Sequence, residues 1–275
     1  MVRTPLRIKR EEASVGVDHA LSPQWVIGGL LGYAHGKLTR SQSSTFPPQT
    51  TPSQFDDATV RTRSTSIAAT LTHYPQPDVY VDASLSYMRT RFDVQRLVND
   101  LTLFEGRNAG RQWALSASVG RIWRSGSVAL IPQLGVDYID TRIEALDTSY
   151  VFLNPPDGPF PGFQVGEQRM KVWSATLGGQ VQWINSVSFG TVTPYARAMW
   201  RQRLAIHADP VVSTAPGADA LTTDLASATS RYMSTVAAGL LLQFSRGISA
   251  FADIGYSRGD PGRETRFAFG IKFEI

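Results

Sequence analysis

The stretch Val79-Tyr-Val-Asp-Ala-Ser-Leu-Ser-Tyr87 decides the fold. Its odd positions are Val79, Val81, Ala83, Leu85 and Tyr87, and its even positions are Tyr80, Asp82, Ser84 and Ser86. One face is apolar and the other is mostly small and polar, with a period of two that only a β-strand keeps in register. Working outward, the same alternation recurs along the chain. Trp113, Leu115, Ala117 and Val119 alternate with Ala114, Ser116, Ser118 and Gly120. Trp173, Ala175, Leu177, Gly179, Val181 and Trp183 alternate with Ser174, Thr176, Gly178, Gln180 and Gln182. At the end of the chain Phe267, Phe269, Ile271, Phe273 and Ile275 alternate with Arg266, Ala268, Gly270, Lys272 and Glu274. A helix would spread each of these stripes around its whole circumference, so the chain reads as all-β.

Two architectures use alternating strands, and the polar face separates them. In a soluble sandwich or a lipocalin-like barrel the polar face meets water and favours long charged side chains, while aromatics lie in mid-core. Here the polar face is Gly, Ala, Ser, Thr and Gln with an occasional charge, which suits walls facing each other across a narrow lumen. The apolar face carries Trp or Tyr near the strand ends: Trp25, Tyr33, Tyr87, Trp113, Tyr138, Trp173, Trp183, Trp200 and Tyr256. Aromatic girdles around an outward apolar band are the mark of a transmembrane β-barrel, and we expect these nine residues at the lipid interfaces.

Composition agrees. Only 18% of the 275 residues are charged, against about 25% in a typical soluble protein. The net charge is +4; the densest basic tract, Arg7-Ile-Lys-Arg-Glu-Glu12, is neutralised within itself, and the other arginines are scattered singly along the chain. That spacing suits a solvated surface, or one facing anionic lipid. Without a helical recognition element it gives no case for nucleic acid. There is no cysteine, which excludes disulfide scaffolds, thiolate metal sites and cysteine nucleophiles. The longest apolar run, Trp25 to Ala34, is too short and glycine-rich for a membrane helix.

Alternating segments fall at about 10–21, 24–38, 59–74, 79–95, 110–124, 127–143, 167–184, 187–205, 229–245, 248–257 and 264–275, with 1–9 as a short lead or partial strand. Tight turns such as Ser22-Pro-Gln24, Ser125-Gly126 and Arg246-Gly247 alternate with long polar loops near 39–58, 95–110, 144–166 and 206–228. This is the short-periplasmic, long-extracellular rhythm of outer-membrane barrels. Eleven segments is an odd count, whereas bacterial single-chain barrels normally have an even one. The opening Met1–Arg10 also lacks the apolar core of a secretory signal. The expectation is therefore a barrel of about twelve strands whose first strand hides in 1–9 or lies upstream.

Specific motifs then resemble a known family. Ala13-Ser-Val-Gly-Val-Asp-His-Ala-Leu-Ser-Pro-Gln-Trp-Val-Ile-Gly-Gly-Leu-Leu-Gly-Tyr33 resembles the opening of the autotransporter β-barrel translocator domain, with His19 where the family usually has tyrosine. Val79 to Tyr87 with the trailing Arg91 to Arg96, Leu130-Ile-Pro-Gln-Leu-Gly-Val-Asp-Tyr138, Thr193-Pro-Tyr-Ala-Arg197 and Phe267-Ala-Phe-Gly-Ile-Lys-Phe273 are similar to further family motifs in the same order. The resemblance spans residues 10–275. It implies an outer-membrane barrel of a Gram-negative bacterium that anchors an upstream passenger and helps carry it to the surface. The linker would thread the lumen as a helix, without nucleotide or cofactor. It also implies that Phe269, Ile271, Phe273 and Ile275 form the face read by the barrel-assembly machinery. The family usually ends in an aromatic residue, and this chain ends in isoleucine.

By parity Asp18, Asp82, Asp137, Gln180, Tyr195, Arg197, Asp253, Lys272 and Glu274 project into the lumen. They read either as a hydrogen-bonded network bracing the wall or as a wet, mixed-charge lining for a guest polypeptide. Catalytic and metal sites have little support. The four histidines, His19, His35, His73 and His207, share no metal-ligand spacing. His207 and Asp209 share a loop without a marked nucleophile, which leaves an outer-membrane hydrolase as a weaker reading beside a passive porin. Asp93 with Arg91 and Arg96 reads as a salt-bridged strand extension above the membrane. Arg258-Gly-Asp260 reads as ordinary turn chemistry.

Overall fold

The computed structural model describes residues 6–44, 54–98, 102–152, 164–214, 221–223, 231–244, 247–259 and 262–274. Strands β1 (Leu6–Ser22), β2 (Trp25–Ser44), β3 (Gln54–Gln76) and β4 (Val79–Val98) form the first part of the wall. β5 (Thr102–Arg121) continues past Ile122 as β6 (Trp123–Ser125), and β7 (Val128–Ile143) returns beside it. β8 (Leu146–Phe152) and β9 (Gln164–Val165) precede β10 (Gln168–Trp183), which continues as β11 (Asn185–Val187). After β12 (Gly190–Ala208) come the short β13 (Val211–Thr214) and β14 (Leu221–Thr223). β15 (Tyr232–Phe244), β16 (Ile248–Gly259) and β17 (Gly262–Glu274) complete the wall.

With β5–β6 and β10–β11 each counted once and the short β8, β9, β13 and β14 set aside, eleven strands make up the wall. Each pairs antiparallel with its neighbour in sequence, so every second strand points the same way. An odd number leaves the first and last strands running in the same direction. β1 accordingly closes the ring on β17 in parallel, from Leu6↔Gly262 to Asp18↔Glu274. Closure gives the backbone groups along both edges a partner, which a structure in hydrocarbon requires.

The short turns sit at one rim. Gly126 (φ 59°) and Gly247 (φ 70°) take the left-handed conformation that two of these turns need. At Ser22–Trp25 the Gln24 amide donates to Ser22 Oγ at 3.2 Å. At the opposite rim the strands run further than the alternation of apolar and polar residues suggests. β2 reaches Ser44, and β4 and β5 extend to Val98 and back from Thr102 through the expected loop at 95–110. The segments read as loops at 144–166 and 206–228 also contain strands. β8 pairs with the upper part of β5, and β8, β9, β13 and β14 form a small antiparallel extension. Above the bilayer both faces of a strand meet water, so no apolar stripe marks them although the ladder continues. β1 likewise begins at Leu6, inside the expected lead of 1–9.

Candidate functional site: a charged lumen within an apolar wall

The wall is inverted relative to a soluble protein. Among the described residues no large side chain is fully buried. The apolar stripes instead face outward: Leu31 and Leu177 are each 57% exposed and Phe269 60%. A continuous apolar surface of this extent is untenable in water and natural in hydrocarbon.

Two aromatic girdles bound it. Toward the short-turn rim lie Trp25, stacked on His73 at 4.0 Å, and Trp183, with Trp123 and Phe189 completing the ring. Toward the other rim lie Tyr33, Tyr87, Trp113, Tyr138, Trp173, Trp200 and Tyr256. Tyr87 meets Trp113 at 4.9 Å, and Tyr138 meets Trp173 at 4.8 Å. Trp173 and Trp183 stand ten residues apart on one strand, as do Trp113 and Trp123. At ~3.3 Å per residue and a tilt of ~40° that separation is about 25 Å, the height of a membrane-barrel apolar band. Trp123 shares the parity of Trp113 and could have been identified from it; Phe189 sits in a turn, where parity gives no signal.

The opposite parity faces inward and is tied together across strands. Asp253 is the principal hub, its side chain only 5% exposed. Arg197 donates to it at 2.9 Å and the Tyr195 hydroxyl at 3.2 Å, with Arg266 at 3.7 Å. Gly239 makes this possible. It lies between Tyr195 and Asp253 in register, and a Cβ there would fall 2.6 Å from the Tyr195 ring. The missing side chain lets the ring lie flat against β15 and reach Asp253 two strands away. Gly120 under Tyr80 and Gly270 under Phe251 repeat the arrangement, keeping bulky rings against the wall.

Asp137 accepts from Thr176 at 3.1 Å and faces Arg201 at 3.5 Å, and Asp82 accepts from Thr72 at 2.7 Å. Asp18 forms an ion pair with Lys272 across the parallel seam. Hydroxyl pairs continue the lining, Ser84 with Ser116 at 2.7 Å and Ser64 with Thr90 at 2.8 Å. Gln180 is half-buried between Ile131 and Arg197 in register. Glu274 stands opposite Asp18, with its side chain outside the described residues.

The remaining candidates do not assemble into chemistry. His207 and Asp209 are 3.8 Å apart with both side chains largely in solvent, beyond hydrogen-bond range. Asp93 does lie above the upper girdle, where it is ion-paired to Arg63 of β3 at 3.0 Å and Arg107 of β5 at 3.1 Å rather than to Arg91, and the side chain of Arg96 lies outside the described residues. Arg107 stands directly opposite Asp93 in register, and Arg63 lies diagonally across from it, a separation that long side chains bridge. The Arg63 hydrogen bond, aided by the positive charge of Arg107, holds the Asp93 carboxyl below the usual carboxylate range. Phe269, Ile271 and Phe273 form one outward stripe on β17. Ile275 and Asp260 lie outside the described residues.

A family model for the autotransporter beta-domain matches residues 8–255. Among solved structures, the translocator domain of the autotransporter NalP from Neisseria meningitidis is similar with a TM-score of 0.64 at 16% identity, covering 90% of this chain and 74% of that one. The beta domain of the Bordetella autotransporter Brka is similar with a TM-score of 0.53 at 16% identity, covering 92% and 83% respectively. No curated protein sequence matches. At this identity the structural likeness speaks for the fold alone, and the family match, spanning nearly the whole chain, decides membership. The chain belongs to the autotransporter beta-domain family and is an outer-membrane β-barrel serving passenger translocation.

Proposed function

We propose that the lumen holds a linker joined upstream of the barrel, threaded as a helix while its passenger emerges at the cell surface of a Gram-negative bacterium. Eleven strands spaced ~4.8 Å apart and tilted ~40° enclose a ring about 22 Å across the backbone. Small lining residues reduce this to roughly the 10–12 Å diameter of one α-helix. The observation that carries the reading is the state of the lumenal charges. The carboxylates of Asp18, Asp82, Asp137 and Asp253 already have wall partners, so a passing chain meets a polar surface without an unsatisfied binding charge of one sign. Passenger folding outside supplies the direction of movement, with no nucleotide or cofactor. The outward stripe Phe269, Ile271 and Phe273 is the surface offered to the barrel-assembly machinery during insertion.

Planar-bilayer conductance of the barrel, compared with the same barrel carrying the linker, tests the reading. The open barrel conducts, and the linker lowers conductance about tenfold or more. Equal conductance in both would favour a passive porin.

A further inference from the structure

Basic residues that are scattered singly in the sequence are brought together by strand register. Arg89 of β4 pairs with Arg111 of β5, Arg111 with Arg142 of β7, and Arg142 with Arg169 of β10. All four have outward parity, two to four residues above the aromatic girdle of Tyr87, Trp113, Tyr138 and Trp173. Arg169 faces the outward Asp140 at 3.7 Å. Arg89, Arg111 and Arg142 have no ion pair or hydrogen bond among the described residues. They line one outward cleft of about 430 Å³ with Tyr87 below, and with Glu144 and Glu167, neither ion-paired to them.

Like charges directly opposed across strands destabilise a sheet. Three adjoining guanidiniums, ion-paired to neither Glu144 nor Glu167 of the same cleft, leave a place for an anion supplied from outside. Guanidinium forks match phosphate oxygens in paired hydrogen bonds. Aromatic girdles mark the headgroup level of a bilayer, and two to four residues beyond a girdle rise about 5–10 Å further out along a tilted strand. That is the depth of lipid phosphates, and the apolar wall directly below, with Leu85 and Leu115 exposed, receives acyl chains.

We propose that Arg89, Arg111 and Arg142 form a binding site for the phosphate of an outer-leaflet phosphorylated lipid, holding it with its acyl chains against β4, β5 and β7. The proposal rests on the outer-membrane placement of the barrel. Its failure is kept separate from failure of that placement by confirming insertion of every variant through heat-modifiable gel migration. The test measures binding of purified barrel to fluorescent diphosphorylated lipid A in phosphatidylcholine vesicles. The variant Arg89→Gln/Arg111→Gln/Arg142→Gln is compared with Lys37→Gln/Arg107→Gln/Arg258→Gln, which removes the same charge from three separate places on the outward belt. The first variant is expected to bind about tenfold or more weakly, the second within about twofold of the parent, and dephosphorylated lipid to bind poorly to all three. Equal weakening in both variants would mean diffuse attraction and overturn the site. Full displacement of the lipid by millimolar inorganic pyrophosphate would reassign it to a soluble anion and overturn the lipid assignment.

Discussion

Asp253 shows how a single lumenal residue is fixed by its surroundings. Its carboxylate is enclosed by Tyr195, Arg197 and Arg266, and removing one partner of an enclosed pair leaves the other charge without compensation. Asp253→Asn should therefore cost about 3 kcal/mol in urea unfolding of the lipid-embedded barrel. Asp93 makes a prediction of opposite exposure. Its folded carboxyl is held below its ordinary value of 3.8, first by the Arg63 hydrogen bond. The stabilisation is thus complete above the unfolded carboxylate pKa and is lost as pH falls through the lower folded value. A carboxyl NMR titration should place the Asp93 midpoint below 3.8 and return it toward that value in Arg63→Gln.

At the scale of the element, the two faces of β4 make contrasting predictions. Leu85→Arg puts a charge in the apolar band two residues below the Tyr87 girdle, between the interface and midplane costs, at about 1–3 kcal/mol, and should impair insertion measured by heat-modifiable migration. Asp82→Leu removes a lumenal acceptor, leaves insertion intact and changes conductance. The strands inside the bilayer could be read from sequence because hydrocarbon and lumen impose opposite chemistry on alternate residues, as between Val79 and Tyr87. The upper ends of β4 and β5 could not, because water on both sides leaves no alternation. The Tyr195–Asp253 contact was also hidden: parity places both residues in the lumen, but only register shows that Gly239 lies between them. The same register gathers Arg89, Arg111 and Arg142. The parallel β1–β17 seam has thirteen register pairs against twenty between β4 and β5, and parallel pairing is slightly weaker per residue. Amide exchange should therefore be faster at Val15–Val17 than at Leu85–Tyr87.

At the scale of the whole molecule, the barrel works as a container turned outward. The apolar side chains that would form the core of a soluble protein instead solvate it in lipid, and the polar side chains are confined to an enclosed hollow. Closure of the ring satisfies the backbone, girdles set its height and lumenal ion pairs brace it, so the function depends on which face is which. The absence of native cysteine permits a direct measurement: nitroxide labels placed one at a time from Val79→Cys to Tyr87→Cys in liposome-embedded barrel, scored by collision with oxygen and with a water-soluble nickel chelate. Labels at odd positions should favour oxygen and labels at even positions the chelate, alternating along the whole stretch. Uniform chelate access, or oxygen preference at the even positions, would contradict the orientation of the wall and with it the translocation pathway.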